Sequence, residues 1–135
     1  MEKQKFENDL QVFGIEVKTF PNDIGNAFDE LVKKTGDNAG KRNYYGISEF
    51  KNGKMIYYAA AEEKHEGEAE EYNYESLKIE KGEYFAEPLK NWRNKTDCIK
   101  DVFTEMMKSD AVDKMKPCIE WYKNDDEMLC MMKAK

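Results

Sequence analysis

The sequence carries the same order of predicted elements twice: a strand, a helix and a two-stranded hairpin. In the first half, residues 12–20 have the β-branched and aromatic content of a strand. Residues 22–35 follow as an amphipathic helix, which Asn22 caps at its start and Gly36 ends in the left-handed conformation. The apolar side chains on one face of this helix are Ile24, Phe28, Leu31 and Val32. This doubled order constrains the fold more than any single motif does.

The first hairpin has the strongest turn signal in the chain. Asn52-Gly53 separates two β-rich runs at residues 44–50 and 55–61, and a type I′ turn needs positive φ at both of its central residues. The segment that follows, residues 62–75, is rich in glutamate and almost free of aliphatic side chains. We therefore expect a hairpin followed by a solvated loop.

The second half repeats the plan. Its helix begins at Thr96 or Asp97 and presents one apolar face. The side chains of that face are Ile99, Val102, Phe103, Met106 and Met107. The strands of this half are predicted at residues 76–79, 83–88, 118–123 and 128–132. When the hairpins of the two halves are aligned, Ser48 corresponds to Glu120.

These elements predict a single α+β domain over residues 1–135, with pseudo-repeat halves of about 1–74 and 75–135. Two helices can cover only one face of the antiparallel sheet. The strands do not alternate cleanly between apolar and polar residues, so the second face also needs a cover. A bound ligand, a dimer partner or the acidic loop can supply it. We expect two helices on one face of the sheet and a central groove on the other, in a monomer or a homodimer.

The strand register predicts which side chains share the groove. A two-residue turn in the first hairpin places Ser48 opposite Tyr57. A two-residue turn in the last hairpin places Glu120 opposite Met131, although a slip of one residue moves Met131 to the other face. Trp92 lies in a loop before the second helix, where it can act either as a lid or as a partly buried anchor.

Composition excludes several functional classes. The net charge is -6 and no basic block is present, which disfavours nucleic acid as a partner. No apolar run reaches the roughly 20 residues needed to cross a bilayer, and no apolar signal segment is evident, so we expect a cytoplasmic protein. His65 and three scattered cysteines make a poor zinc site, and we expect no metal and no cofactor. The single histidine also disfavours Ser-His and Cys-His catalysis.

The order of four motifs resembles that of the GyrI-like small-molecule-binding domains, which are related to the effector-binding domains of AraC-type and MerR-type multidrug regulators. The motifs are Tyr44-Tyr45-Gly46-Ile47-Ser48, Tyr57-Tyr58-Ala59, Lys81-Gly82-Glu83-Tyr84 and Ile119-Glu120-Trp121-Tyr122. The resemblance extends over essentially the whole chain. It implies two fused SHS2 modules around a central groove, with an acidic residue that pairs with cationic ligands at the position of Glu120. The helix-turn-helix domain of the regulators has no counterpart in these 135 residues.

The resemblance implies a protein that binds a bulky aromatic or cationic compound. The expected ligand-binding residues are Glu120, Tyr122, Trp92, Tyr57, Ser48 and Met131. Two alternatives stay open. In the first, the protein hydrolyses cyclopropane-bearing genotoxins, with Glu120 activating water and Tyr57 stabilising charge on the opening ring. In the second, its acidic surface inhibits a protein partner such as a gyrase.

Overall fold

The computed structural model describes residues 1–18, 24–36, 42–124 and 126–135. Within these ranges the chain forms eight strands, three α-helices and two 3₁₀ turns. The strands are β1 (Glu2–Phe6), β2 (Leu10–Glu16), β3 (Tyr44–Lys51), β4 (Lys54–Glu62), β5 (Glu75–Ile79), β6 (Gly82–Lys90), β7 (Cys118–Tyr122) and β8 (Glu127–Lys133). The helices are α1 (Ile24–Thr35), α2 (Glu68–Glu71) and α3 (Ile99–Met106), and the 3₁₀ turns span Trp92–Asn94 and Thr96–Cys98. No helix in the described ranges has the length and apolar character needed to cross a membrane.

The strands form one antiparallel sheet in the order β1-β6-β8-β7-β3-β4-β2-β5. The two predicted hairpins meet at its centre, where Ile47 of β3 lies opposite its aligned counterpart Ile119 of β7. The α+β class and the antiparallel sheet are therefore confirmed. The predicted halves are not separate in this sheet, because β1 pairs with β6 and β5 pairs with β2.

Helix boundaries differ from the predictions mainly at the N-termini. Gly36 has φ 69°, as expected for a residue that ends α1 in the left-handed region. Asn22, the predicted cap of α1, lies outside the described residues. In the second half neither Thr96 nor Asp97 caps the helix, because residues 96–98 form a 3₁₀ turn and α3 begins at Ile99.

The first hairpin has the predicted register. Asn52 and Gly53 have φ values of 53° and 78°, which are the positive φ values that a type I′ turn requires. Ser48 consequently lies opposite Tyr57.

The last hairpin does not have the predicted register. The Asn124 side chain accepts hydrogen bonds from the backbone N–H groups of Asp126 and Glu127 at 2.8 and 2.7 Å, which lengthens the turn by one residue. Glu120 therefore lies opposite Cys130. Met131 lies opposite Ile119 and points to the other face of the sheet, so the predicted pairing of Glu120 with Met131 is wrong.

The second face of the sheet is closed by the curl of the sheet itself. Residues 7–9 connect β1, at one edge, to β2 near the opposite edge, and residues 80–81 connect β5 and β6 in the same way. Phe6 of β1 thereby contacts Trp121 of β7, with ring centroids 6.0 Å apart. The buried residues of this face are Val12, Tyr45, Ile47, Tyr58, Ala60, Ile79, Tyr84, Ala86, Ile119, Leu129 and Met131. The strands of the curled sheet therefore bury this apolar face against one another as core.

The acidic segment is not simply a solvated loop. It contains α2, whose Glu68 side chain is fully buried. Arg42 donates to both carboxylate oxygens of Glu68, at 2.9 and 3.0 Å, and the backbone N–H of Lys64 also donates to Glu68. Burial opposes ionisation of this carboxyl, but the Arg42 guanidinium and the Lys64 amide outweigh burial and lower its pKa. The pair fixes the acidic segment to the sheet.

We predict that Glu68→Gln destabilises the fold by about 3 kcal/mol at neutral pH, because it removes the carboxylate that neutralises the largely buried Arg42 guanidinium. The folded-state pKa of Glu68 lies below its ordinary value of 4.5, so its contribution is complete above that value and is lost as pH falls through the folded pKa. Urea unfolding should therefore give a deficit that shrinks in acid. The control is Glu71→Gln, which changes a side chain that is 57% exposed. A deficit that is independent of pH would contradict the assignment.

Candidate functional site

The two longer helices leave the centre of one sheet face between them. Helix α1 packs on the first hairpin and α3 packs on the second. Between them lie β3 and β7, where Gly46 is opposite Glu120. We call Gly46, Tyr57, Glu120 and Tyr122 the central site. We expected the groove on the face opposite the helices, but Glu120 lies on the helix face, because it shares that face with Gly46 and with residues that α1 covers.

Two tyrosine hydroxyls hold the Glu120 carboxylate. Tyr57 donates to Oε1 of Glu120 at 2.8 Å, and Tyr122 donates to the same oxygen. Tyr122 is two residues away on the same strand, whereas Tyr57 reaches across β3 from β4. Glu120 is only 8% exposed and Tyr57 only 1%. The site thus joins side chains from both halves of the chain.

Gly46 has no side chain, and the Tyr57 side chain can therefore reach across β3 to Glu120. A Cβ atom at Gly46 would lie 2.9 Å from Cζ of Tyr57, and closer still to the Tyr57 hydroxyl and to Oε1 of Glu120. Such separations are shorter than real Cβ contacts. The tyrosine ring and the carboxylate therefore meet directly above the glycine.

The electrostatics of the site penalise its negative charge. Burial raises the pKa of Glu120, although the hydroxyls of Tyr122 and Tyr57 oppose this by donating to the carboxylate. Burial and the neighbouring carboxylate also raise the pKa values of Tyr57 and Tyr122 well above normal, so both hydroxyls remain donors. None of the ion pairs among the described residues includes Glu120. Within the part of the chain that the structure describes, the carboxylate is buried with hydrogen-bond donors but without a cation.

Aromatic rings close the site. The ring of Tyr122 lies between Phe28 of α1, at 5.3 Å between centroids, and Trp92, at 4.8 Å. The indole N–H of Trp92 donates to the carbonyl of Asn124 at 2.9 Å, and the Arg93 guanidinium lies 4.7 Å from the Trp92 ring. The ring of Tyr122 therefore lies between two aromatic neighbours, and its hydroxyl contacts Glu120.

The structure brings most of the predicted site residues together. Tyr57, Glu120 and Tyr122 are in contact, Trp92 lies against Tyr122, and Ser48 shares their face. Met131 is the exception, because the register of the last hairpin places it on the opposite face. The ligand-binding role of the clustered residues stays a prediction.

Sequence reasoning assigned no site role to four residues of the surroundings: Phe28, Gly46, Cys118 and Cys130. Phe28 belonged to the predicted apolar face of α1, but nothing local indicated that it would touch Tyr122. Burial and Glu120 raise the pKa of Cys118 to about 11 and that of Cys130 to about 12, so both thiols are protonated at neutral pH and are poor nucleophiles. These cysteines add no nucleophile to the site.

One group of potential metal ligands occurs among the described residues. Ligand atoms of His65, Glu68 and Glu71 lie within 4.8 Å of one another. Both oxygens of Glu68 already accept hydrogen bonds from Arg42, however, and a metal would have to displace that guanidinium. We therefore assign no metal to this group.

Comparison with known proteins identifies the fold. No protein-family model and no curated protein matches this sequence. The integron cassette protein VCH_CASS2 of Vibrio cholerae is 14% identical, with 99% of this chain and 95% of that chain covered and a TM-score of 0.72. SAV2435 bound to tetraphenylphosphonium is 16% identical, with 99% and 93% covered and a TM-score of 0.69. A transcription regulation protein of Staphylococcus aureus MU50 is 16% identical, with 98% and 97% covered and a TM-score of 0.64.

These comparisons establish a shared fold over nearly the whole chain. The match covers at least 93% of each of the three solved structures. At 14–16% sequence identity, the similarity establishes only that the fold is shared.

We predict that Gly46→Ala destabilises the protein by about 2 kcal/mol, because the added methyl group forces Tyr57 and Glu120 apart. The control is Gly25→Ala in α1, where a Cβ has no atom within 4 Å and alanine favours the helix by up to about 1 kcal/mol. Urea unfolding measures both. Equal stability of Gly46→Ala and the parent protein would contradict the close contact between Tyr57 and Glu120 above Gly46.

Proposed function

We propose that the protein binds bulky aromatic cations at the central site, with Glu120 as the counter-charge. The observation that carries this proposal is a buried carboxylate that accepts hydrogen bonds from two tyrosine hydroxyls and forms no ion pair among the described residues. An unpaired buried charge is costly, and a ligand cation relieves that cost. The same chemistry selects against anions of the same shape.

The walls of the site suit an aromatic cation. Phe28, Tyr122 and Trp92 supply ring faces, which attract cations through the ring quadrupole and pack against apolar ligand groups. Tyr57 remains beneath the carboxylate and keeps one oxygen oriented by its hydrogen bond. Ser48 is the small neighbour of Tyr57 on this face and leaves room beside it.

Binding requires the aromatic cover to move, because Glu120 is 8% exposed. Trp92 belongs to a 3₁₀ turn of three residues between β6 and α3. Its indole N–H makes one hydrogen bond, to the Asn124 carbonyl. We infer that Trp92 swings outward and that the ligand then packs against the rings of Tyr122 and Phe28.

A structural neighbour supports this ligand class. SAV2435 has been solved with tetraphenylphosphonium, a permanent cation that carries four phenyl groups. Because the identity is 16%, this neighbour supports the proposal through its fold and not through matched residues. We also propose that the chain is a GyrI-like domain. The order of the four sequence motifs and the shared fold support this.

Hydrolysis is the second candidate function, and one specific observation supports it. The raised pKa of Glu120 is what a general acid or base at neutral pH needs. In that case Glu120 activates water and Tyr57 stabilises the developing charge on a cyclopropane-bearing substrate. Turnover of such a compound by the parent protein, lost in Glu120→Gln, would favour this candidate over binding alone.

Inhibition of a protein partner has less support. The acidic segment that it requires includes Glu68, whose carboxylate is buried against Arg42. That side chain is not available to a partner surface. A gyrase-like target would have to recognise the remaining exposed glutamates of the segment.

We predict that tetraphenylphosphonium binds and that the equally shaped anion tetraphenylborate does not. Glu120→Gln should weaken tetraphenylphosphonium at least about tenfold, or 1.4 kcal/mol, because it removes the counter-charge while keeping the side-chain shape. The control is Glu49→Gln, which removes one charge from β3, with its side chain 26% exposed beside Lys51. Isothermal titration calorimetry measures the binding of both ions by the parent protein and by each of the two variants.

The same titrations can overturn the proposal. Equal binding of the two ions would mean that the site recognises shape alone. Equal losses in Glu120→Gln and Glu49→Gln would mean that the net charge of the protein, and not Glu120, governs affinity.

We also predict that tetraphenylphosphonium binds more tightly as pH rises. The pKa of Glu120 in the free protein lies above its ordinary value of 4.5, and the cation favours the ionised form. Affinity should therefore rise through the free-protein pKa and level off above it, and binding below that pKa should release a proton. Calorimetry in two buffers with different ionisation enthalpies measures the released proton. Affinity that does not change with pH would contradict the role of Glu120.

A further inference from the structure

The two oxygens of the Glu120 carboxylate have different surroundings. The hydroxyls of Tyr57 and Tyr122 both donate to Oε1. The same oxygen lies over Gly46, where an added Cβ would collide with it. A carboxylate oxygen has about two acceptor sites. Oε1 therefore faces the sheet and has its acceptor sites engaged by the protein.

Oε2 is the other oxygen of this carboxylate, and it accepts no hydrogen bond from the described residues. Within the described part of the chain, the indole nitrogen of Trp121 is the one fully buried side-chain polar atom that lacks a partner. Oε2 lacks a partner as well but is not such a fully buried atom, so it reaches the surface of the site. Oε2 is thus the oxygen that meets solvent in the free protein and a ligand in the complex.

The solvent contact of Oε2 decides what a ligand must offer there. Water donates hydrogen bonds to an accessible carboxylate oxygen, and a ligand that packs over Glu120 displaces this water. A cation without a donor hydrogen supplies charge but leaves Oε2 without a hydrogen bond in a desolvated site. A cation whose charged nitrogen carries an N–H supplies the charge and replaces the lost hydrogen bond with the same group.

The side chains around Glu120 do not supply this donor themselves. The indole N–H of Trp92 donates to the carbonyl of Asn124, and Phe28 has no polar side-chain atom. The thiols of Cys118 and Cys130 lie near Glu120 but are weak donors, and neither donates to its carboxylate. The donor to Oε2 therefore has to come from the ligand.

We infer that the central site selects ammonium ions that bear aromatic rings and carry an N–H, which donates to Oε2 of Glu120. Protonated secondary and tertiary amines belong to this class. Quaternary cations, tetraphenylphosphonium included, satisfy the charge alone and bind more weakly than an N–H cation of matched shape. This ligand class rests on the proposed function of the central site and narrows it.

The test compares three cations that differ only in the number of methyl groups on nitrogen: dibenzylammonium, dibenzylmethylammonium and dibenzyldimethylammonium. Calorimetry is carried out at a pH where all three are cationic. Only the third lacks an N–H. We expect the parent protein to bind the first two similarly and the third at least about tenfold more weakly, as expected for one lost hydrogen bond to a charged group. A loss that grows evenly with each added methyl group would mean that the site rejects bulk, and would overturn the inference.

Glu120→Gln tests whether Oε2 is the acceptor. The two tyrosine hydroxyls need an acceptor, so the amide oxygen of the variant takes the position of Oε1 and the amide nitrogen takes that of Oε2. The ligand N–H then meets a donor, and the three cations should bind with similar, weak affinities. Glu49→Gln is the control and should keep the order seen with the parent protein. A preference for the N–H cations that survives in Glu120→Gln would overturn the inference.

The anion dibenzyl phosphate separates this inference from the proposed function. If the three cations bind equally, lose affinity in Glu120→Gln and outcompete dibenzyl phosphate, the proposed function stands and the selection for an N–H fails. If dibenzyl phosphate binds as well as the cations, or if none of the cations binds, both fail.

Discussion

The carboxylate of Glu120 is buried at the centre of the sheet, and its hydrogen bonds set several requirements for the rest of the structure. Tyr57 reaches it from the first half of the chain and Tyr122 from the second. Their meeting requires β3 to lie between β4 and β7 with glycine at position 46. Helices α1 and α3 pack to either side of this position, on the first and the last hairpin. The closed aromatic cover and the raised pKa of Glu120 both follow from this burial.

Much of this arrangement could be predicted from the sequence where local chemistry decides the geometry. Asn52-Gly53 fixes a type I′ turn, and that turn alone sets Ser48 opposite Tyr57. The helical spacing of apolar residues located α1, and the alignment of the two hairpins singled out Glu120. Strand periodicity places Glu120 and Tyr122 on one face of the last hairpin, because alternate residues of a strand point to the same side.

The rest could not be predicted because it depends on contacts between distant residues. Asn124 bonds two amides of its own turn and shifts the last hairpin by one residue, which removed Met131 from the site. Arg42 buries Glu68 from 26 positions away, so the acidic segment is fixed although its composition is that of a loop. The curl of the sheet comes from two short connections between its opposite edges, and it fills the face where a groove was expected.

The central claim is that Glu120 carries an uncompensated buried charge that a ligand cation relieves. The most direct test follows the carboxyl carbon of Glu120 by NMR during a pH titration, in protein labelled with ¹³C-glutamate and with Glu120→Gln used for assignment. In the free protein we expect a midpoint above the ordinary value of 4.5, and in the complex with tetraphenylphosphonium we expect a lower midpoint. A midpoint at the ordinary value that tetraphenylphosphonium leaves unchanged would contradict the account.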